Sequence, residues 1–204
     1  MKKRKTIVFD FDKTLTKKDT LFGFFLFNAN KNFFFYFKVA YYCFLMVLAK
    51  LNLIKNEKLK SRGVQLFLSP LSKEELKFKF ENYHKTITFN SLYSSLDFAE
   101  DANYFVLSAS FQEYIRPIFP NFVNVMGSTI KYKDDFAQGL LFNCYKDGKV
   151  QLLKSQDIQE IDILYTDNFS DFELAKMAKE IIIVNANRLI KCKDHQEFAS
   201  YFKK

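Results

Sequence analysis

Glycine, proline and tryptophan are scarce in this 204-residue sequence, which contains 5 Gly, 3 Pro and no Trp. Their scarcity excludes a collagen-like chain and argues against a flexible linker or a disordered protein. The glycines are Gly23, Gly63, Gly127, Gly139 and Gly148, and their spacing excludes a glycine-rich phosphate loop of the dinucleotide-binding or P-loop type. If this protein handles phosphate, it does so with other groups.

Cysteine and histidine are also few, and their spacing matches no metal site. Cys43, Cys144 and Cys192 are far apart, and His84 and His195 have no histidine or cysteine at ligand spacing. This excludes a zinc site built from residues close together in the sequence. We expect the cysteines to be reduced, buried small residues.

The N-terminal residues lack the pattern of a secretory signal. Basic residues at 2–5 precede an apolar run at 7–9, but Asp10 interrupts that run at once. A secretory signal needs roughly 7 to 15 apolar residues at this place. We therefore expect a cytoplasmic location with a reducing environment.

Basic residues outnumber acidic ones by 31 to 23, which gives a formal net charge of +8. Such a balance suits acidic partners: nucleic acid, anionic lipid or phosphorylated metabolites. The lysines are spread along the chain, so a solvated basic surface explains them equally well. No recognisable nucleic-acid motif is present, and we expect no nucleic-acid partner.

Short apolar segments rich in β-branched and aromatic residues alternate with helix-like segments along much of the chain. Strands are predicted at 6–11, 103–107, 160–165 and 181–184, and helices near 111–119, 149–157 and 171–179. This alternation predicts an α/β fold with a Rossmann-like parallel sheet flanked by helices. The stretch 128–145, with turn signals at Asp134, Asp135 and Gly139, predicts a small β-hairpin flap beside the sheet.

The stretch from about 20 to 90 breaks the alternation and contains no convincing strand. Ser72, followed three residues later by Glu75, has the pattern of a capping box and predicts the start of a helix. We therefore assign 17–94 to an inserted helical cap and 1–16 with 95–204 to the core domain.

The first half of this insertion is strongly aromatic. Between Leu21 and Ala49 there are 9 Phe and 3 Tyr but only two charged residues, Lys31 and Lys38. The apolar run 33–49 falls short of the roughly 20 residues that span a bilayer, and Lys38 interrupts it. We expect burial within the helical cap or in a homodimer contact, and a position at a membrane surface is the alternative.

Polar residues follow three predicted strands: Asp10, Ser108 and Asp167. The carboxyl ends of parallel strands meet at one edge of a sheet, where ligands bind. Asp10 and Asp12 form a carboxylate pair in which one member can attack or bind a metal while the other serves as acid and base. The alternative is an Asp-rich turn after a strand.

Further residues with suitable chemistry follow the later strands. The Ser108 hydroxyl and the backbone N–H groups after it can hold phosphate oxygens, and Lys149 can supply a fixed positive charge. Asp167 and Asp171 are spaced for one direct and one water-mediated Mg²⁺ contact. Taken singly, Asp171 is explained by a helix cap and Lys149 by a solvated lysine.

The ordered motifs DFDKT, VLSAS, GKVQLL and YTDNFSDFELA resemble the four motifs of the haloacid dehalogenase superfamily. The resemblance covers essentially the whole chain and is strongest to the phosphoserine-phosphatase-like group (subfamily IB), in which a helical C1-type cap follows the first motif. It implies a phosphatase that works through an aspartyl-phosphate intermediate.

The resemblance also implies a role for each matched residue. Asp10 is the expected nucleophile and Asp12 the expected acid and base. The expected phosphate-binding residues are Thr14, Ser108, Ala109 and Lys149. The expected Mg²⁺ ligands are Asp10, the Asp12 backbone carbonyl and Asp167, with Asp171 acting through water.

The substrate is less closely defined by the sequence. Where the phosphoserine enzymes have a glutamate that holds the substrate amine, this chain has Asp19, and Arg62 matches their carboxylate-binding arginine. Ser110, in the motif Ser-Ala-Ser where that group has Ser-Gly-Gly, is the third candidate for substrate binding. We expect a small phosphorylated substrate, such as an amino alcohol phosphate or a phosphoserine-like compound.

Other functions stay open on the sequence alone. Asp19 is equally suited to cap the helix that starts at Thr20, and Arg62 to be a solvated arginine. The aromatic cap favours a lipid phosphate, such as phosphatidylglycerophosphate, as an alternative substrate. A phospho-accepting signalling domain and a non-enzymatic basic binding module are the alternatives from other classes.

Overall fold

The computed structural model describes residues 4–29, 32–99 and 101–203. The strands are β1 (Lys5–Asp10), β2 (Ala102–Phe111), β3 (Asn124–Lys133), β4 (Phe136–Phe142), β5 (Ile161–Thr166), β6 (Ala178–Asn185) and β7 (Arg188–Cys192). The helices are α1 (Leu21–Asn28), α2 (Phe33–Lys50), α3 (Asn56–Phe67), α4 (Lys73–Tyr83), α5 (Ser91–Ser95), α6 (Gln112–Ile115), α7 (Asp147–Lys154), α8 (Phe172–Ala175) and α9 (His195–Tyr201).

One sheet in the order β4-β3-β2-β1-β5-β6-β7 runs through the molecule. The inner pairings, β1 with β2 and β5, β2 with β3, and β5 with β6, are all parallel. The two edge strands, β4 and β7, are antiparallel to their neighbours. The predicted α/β class with a Rossmann-like sheet is confirmed, and β1 lies at the centre because its apolar residues are covered on both faces.

The predicted helix near 171–179 is wrong in its second half, where α8 ends at Ala175 and β6 begins at Ala178. The segment 178–180 has no strand-like composition, but Ala178 lies opposite Ile161 in the pairing of β6 with β5. Lys179 Nζ also lies 2.8 Å from Asp162 Oδ1 on β5. Pairing with a neighbouring strand overrides the local preference.

The predicted hairpin forms from β3 and β4, but β3 is itself a strand of the main sheet rather than part of a separate flap. Asp134 and Asp135 turn the chain with φ of 49° and 66°, in the left-handed region that Asp tolerates. Gly139 lies inside β4, next to a register irregularity, and makes no turn.

The helices α1 to α5 lie between β1 and β2 in the chain, where the sequence predicts an insertion. The capping box at α4 is present: Glu75 N donates to Ser72 Oγ at 3.2 Å, and Ser72 N donates to Glu75 Oε2 at 2.7 Å. The rings of Phe24 and Phe25 on α1 lie 5.9 and 6.0 Å from that of Phe111 at the end of β2. Aromatic packing thus joins the insertion to the sheet.

The expected burial of the aromatic run within the insertion is wrong for α2, of which only 11% is buried. Only the side that carries Tyr42 and Leu45 is covered by the rest of the insertion. Since α2 is apolar on all sides, its uncovered side exposes apolar side chains to solvent. Cys43 on this helix is exposed, against expectation, whereas Cys144 and Cys192 are buried.

Gly127 on β3 should not tolerate a side chain. A Cβ there would lie 2.6 Å from Ser110 O and 2.8 Å from Gln112 N, and backbone atoms cannot move aside cheaply. We expect Gly127→Ala to lower the free energy of unfolding by about 1 to 3 kcal/mol, measured by urea denaturation.

Gly139→Ala is the matched control, because a Cβ at Gly139 meets only Ser61, at 3.5 and 3.6 Å. It should leave the free energy of unfolding within about 0.5 kcal/mol of the parent value. Equal effects of the two substitutions would contradict the close approach of β3 to the chain after Ser108.

Candidate active site

The strand register brings the predicted site residues to one edge of the sheet. Asp10 is the last residue of β1 and lies opposite Leu107, so Ser108 comes next on β2. On the other side Phe9 lies opposite Tyr165, which places Asp10 beside the end of β5 and the following Asp167. Three separate chain segments therefore meet around Asp10.

The loop after β1 is a tight turn held by its own backbone. Leu15 N and Thr16 N both donate to Phe11 O, at 2.9 and 3.2 Å. Lys13 takes a positive φ of 60°, and its N–H donates to Thr16 Oγ1. This turn places Asp12 on the side of the insertion and returns Thr14 toward Asp10.

Lys149 lies between two carboxylates. Its Nζ is 2.6 Å from Asp10 Oδ1, and 2.7 and 3.0 Å from the two oxygens of Asp171. Thr166 Oγ1 donates to Asp171 at 2.8 Å, and all four residues are buried. Lys149 is therefore not a solvated lysine, and Asp171 acts here as a partner of Lys149 rather than as a helix cap.

Burial and the attraction between Lys149 and its carboxylates shift the pKa values of Asp10 and Lys149 in opposite directions. Burial raises the pKa of Asp10 well above its usual range against the opposing attraction of Lys149, and Asp171 and Asp167 add to the rise. Burial alone would lower the pKa of Lys149, but the charges of Asp10 and Asp171 outweigh it and raise that pKa. A cation near Asp10 is strongly favoured by this surplus of carboxylates.

The arrangement of Asp10 and Asp167 fits a hard cation such as Mg²⁺. Thr14 Oγ1 lies 3.4 Å from Asp10 Oδ2 and 3.4 Å from Asp167 Oδ1, so the two carboxylates face the same small region. Burial, with the charge of Asp171, raises the pKa of Asp167 as well. Mg²⁺ commonly takes one or two carboxylates and completes its shell with water and substrate oxygens.

The described residues form no fuller metal cage. Among the described residues, no group of three or more His, Cys, Asp or Glu side chains could hold a metal ion. Asp171 accepts from Lys149 and Thr166, which hold its carboxylate in place. Asp10 and Asp167 are placed so that both could contact one Mg²⁺ ion, while the Asp12 carbonyl and a water-mediated contact with Asp171 stay predictions.

Asp12 is held by four hydrogen bonds from two sides. On one side, Thr20 donates its N–H and its hydroxyl to Oδ1, at 2.7 and 2.6 Å. On the other side, Ser108 Oγ and Ser110 Oγ donate to Oδ2, at 3.0 and 2.6 Å. Sequence reasoning missed Thr20, which precedes α1 and connects Asp12 to the insertion.

A cavity of about 190 Å³ opens over these carboxylates. Asp10, Asp12, Ala109, Ser110, Lys149 and Asp167 line it from the core, and Asp19, Leu21, Phe22, Tyr42, Met46 and Lys60 line it from the insertion. Thr14 and Ser108 are fully buried and do not line it. A groove of about 860 Å³ between α4, α6 and β3 is larger, but none of these carboxylates lines it.

The two substrate-binding residues predicted in the insertion lie in different places, and only Asp19 lines the cavity. Asp19 lines the cavity, and its Oδ1 also accepts from Leu21 N at 3.1 Å, so it caps α1 as well. Arg62 is exposed, does not line the cavity, and donates to Gln65 Oε1 at 2.9 Å. Arg62 lies on the outer face of α3 because the inner face is taken by Lys60 and Val64.

Lys60 is a cationic residue of the insertion that lines the cavity, and sequence reasoning missed it. Its Nζ donates to Ala109 O at 2.6 Å, to Asn143 Oδ1 at 2.7 Å and to Ser128 Oγ at 3.3 Å. The sequence does contain a pattern that indicates burial of Lys60, since Lys60 shares one helical face with the apolar Val64 and Phe67. A lysine on an otherwise apolar face needs polar partners.

Replacement of Lys149 should strongly destabilise the protein. Lys149→Met leaves Asp10 and Asp171 buried without a counter-charge, which costs about 3 to 5 kcal/mol when one partner of a buried pair is removed. The measurement is urea denaturation with a chelator present, so that no added cation replaces the lysine.

The control is Lys176→Met, which removes the half-exposed pair of Lys176 with Glu173 at 2.7 Å. An exposed pair contributes less than about 1 kcal/mol. Similar small losses for both substitutions would show that Lys149 does not hold the buried carboxylates together.

Lys60 should make stability depend on pH in the neutral to alkaline range. Burial lowers the pKa of Lys60 from its ordinary value of 10.5 to about 7. Between these values the unfolded chain binds more protons than the folded chain, so the free energy of unfolding rises with pH, by at most about 1.4 kcal/mol per pH unit.

Below pH 7 both states are protonated and this contribution to the slope vanishes. Urea denaturation from pH 6 to pH 10 should show the rise in the parent protein and a smaller rise in Lys60→Met. Identical slopes for the two proteins would refute the lowered pKa.

The sequence model of the haloacid dehalogenase-like hydrolase family matches residues 7–176 of this chain. Among solved structures, a phosphoserine phosphohydrolase-like protein from Francisella tularensis subsp. tularensis SCHU S4 is 18% identical with a TM-score of 0.62, covering 97% of this chain and 99% of that one. A substrate-bound phosphoserine phosphatase complex is 18% identical with a TM-score of 0.61 and coverage of 98% and 99%.

A phospho-aspartyl intermediate analogue of phosphoserine phosphatase is 18% identical with a TM-score of 0.59 and coverage of 98% and 99%. No curated protein matches the chain. At these identities the structures show the fold alone, whereas the family match spans most of the chain. The resemblance found in the sequence is thereby confirmed: this chain belongs to the haloacid dehalogenase-like hydrolase family.

Proposed function

We propose that this protein is a Mg²⁺-dependent phosphomonoesterase that hydrolyses a small phosphorylated metabolite through an aspartyl-phosphate on Asp10. The observation that carries the proposal is the position of Asp10, buried at the base of the cavity with Lys149 at 2.6 Å from Oδ1 and Thr14 at 3.4 Å from Oδ2. Membership of a hydrolase family favours an enzyme over a basic binding module.

In the first step, an oxygen of Asp10 attacks phosphorus while the ester P–O bond breaks. Lys149 offsets negative charge beside Asp10, and the low accessibility of Asp10 limits its solvation. The leaving alkoxide takes a proton from Asp12, whose carboxyl lines the same cavity. Mg²⁺, when bound by Asp10 and Asp167, supplies further positive charge that offsets repulsion between the phosphate and the carboxylates.

In the second step, water attacks phosphorus and the bond to Asp10 breaks. Asp12, now a carboxylate, takes the proton from this water and is ready for another cycle. The four hydrogen bonds from Thr20, Ser108 and Ser110 hold Asp12 in one orientation for both proton transfers. The solved phospho-aspartyl analogue of a phosphatase with the same fold supports this sequence of steps.

The cavity favours a small substrate with an amine. Its volume of about 190 Å³ is below that of pockets for drug-sized ligands, about 300 to 1,000 Å³. Asp19 supplies a carboxylate for the substrate amine from the wall of this cavity, while the Ser110 hydroxyl beside it is engaged with Asp12. The Asp19 carboxylate, and the likeness to phosphoserine phosphatases, support an amino alcohol phosphate or a phosphoserine-like compound as substrate.

A lipid phosphate is the second candidate substrate. Tyr42 and Met46 of α2 line the cavity, while most of that helix faces outward with apolar side chains. An apolar surface beside the cavity suits a phosphate that is attached to a lipid.

Asp10→Asn should lower the turnover of any active phosphomonoester by a factor of roughly 10⁴ or more, because an amide is a poor nucleophile. The assay is Mg²⁺-dependent phosphate release across amino alcohol phosphates, phosphoserine, sugar phosphates and a lipid phosphate in detergent. Circular dichroism checks that the fold is kept, and Asp157→Asn, an exposed position with a φ of 58° that suits Asn, is the control.

Near-normal turnover by Asp10→Asn would refute the nucleophile. Activity of the parent protein with none of these monoesters, despite bound Mg²⁺, would refute the proposed reaction.

A further inference from the structure

One side of α2 presents a continuous apolar surface to solvent. The exposed side chains, which we call the α2 outer face, are Phe33, Phe34, Tyr36, Phe37, Tyr41, Phe44 and Val47, followed by Leu51 and Leu53. Phe33 is 75% exposed and Phe37 64%. Soluble monomers rarely expose so many neighbouring large apolar residues, and such surfaces mark sites of interaction.

The opposite side of α2 is fixed to the insertion. The Tyr42 ring lies 5.6 Å from the Phe67 ring of α3, and Leu45 is buried. Lys38 Nζ turns inward and donates to Leu66 O at 3.1 Å. By length and composition α2 could cross a membrane, but these contacts keep it on the outside of the insertion.

The segment that carries the α2 outer face contains charged residues of one sign only. No acidic residue occurs from 20 to 56, although the chain has 23 acidic residues in total. The same segment contains Lys31, Lys38, Lys50 and Lys55, and Lys50 and Lys55 are exposed. An apolar face on a segment whose charged residues are all lysines is complementary to a surface that is apolar inside and anionic at its boundary.

A second copy of the chain does not offer this complementarity. In a twofold contact between two α2 outer faces, the lysines of one segment would meet the same segment of the other copy. Neither segment has an acidic residue with which these lysines could pair. Phe and Tyr side chains, by contrast, are well suited to the boundary between lipid headgroups and acyl chains.

We propose that the α2 outer face docks the protein onto the surface of an anionic lipid bilayer, with α2 parallel to the membrane plane. Tyr42 and Met46 line the cavity from the other side of α2, about half a helical turn away from Phe37 and Phe44. The proposal concerns binding alone and does not depend on the reaction.

The test is co-sedimentation of the full chain with vesicles of phosphatidylcholine alone and of phosphatidylcholine with 30% phosphatidylglycerol, a fraction of about one third that gives a strongly negative surface. We expect binding to the anionic vesicles and at least about tenfold weaker binding by Phe37→Ser/Phe44→Ser, which removes two rings from the apolar face. Phe78→Ser is the control, since Phe78 on α4 is 65% exposed but outside this face.

A second pair of variants tests the charges. Lys50→Gln/Lys55→Gln should weaken binding to anionic vesicles by at least about fivefold, since each lysine near such a surface contributes about 1 kcal/mol. Lys131→Gln/Lys133→Gln changes the net charge equally, but its lysines lie on β3, and it should bind like the parent protein.

Failure of the parent protein to bind anionic vesicles, or equal binding by Phe37→Ser/Phe44→Ser and Phe78→Ser, would overturn the proposal. A dimer in sedimentation velocity that this double variant abolishes would also overturn it and assign the face to a second copy. Phosphate release from a water-soluble monoester should be unchanged in these variants, so failure of docking is distinguishable from failure of the proposed reaction.

Discussion

The contact of Lys149 with Asp10 and Asp171 is the interaction on which the site depends. Three carboxylates, Asp10, Asp167 and Asp171, meet at the ends of β1 and β5, and their mutual repulsion in a buried place would be costly without a cation. Lys149 reaches this place from the start of α7 and is itself 2% exposed. The relative positions of β1, β5 and α7 therefore depend on the ammonium group of Lys149.

Much of this arrangement could be predicted from sequence because it depends on strand ends. Apolar strands that finish in Asp10 and Asp167 must bring those residues together once the strands are parallel neighbours. The start of α4 could be predicted for a local reason, since Ser72 and Glu75 form their capping box within a single turn. Local patterns and parallel topology were sufficient for these features.

Other features depend on contacts that no local pattern contains. β6 begins at Ala178, in a helix-like sequence, because β5 offers it a partner. Lys60 and Thr20 reach the site only after the insertion has folded back onto the sheet, so their roles depend on distant contacts. The helix α9 did have a local signal: Asp194 accepts from Gln196 N and Glu197 N at 2.8 Å, in the manner of an ordinary N-cap.

The two carboxylate oxygens of Asp12 contact two different parts of the molecule. Oδ1 is held only through Thr20, at the entrance to the insertion, whereas Oδ2 is held through Ser108 and Ser110 of the sheet. Thr20 itself contacts both parts: its carbonyl accepts from Tyr83 Oη of the insertion at 2.7 Å, and its hydroxyl lies 2.8 Å from Tyr114 Oη of α6. A change in the packing of the insertion on the sheet would therefore reach Asp12 through Oδ1 and Thr20, whereas the contacts of Oδ2 belong to the sheet alone.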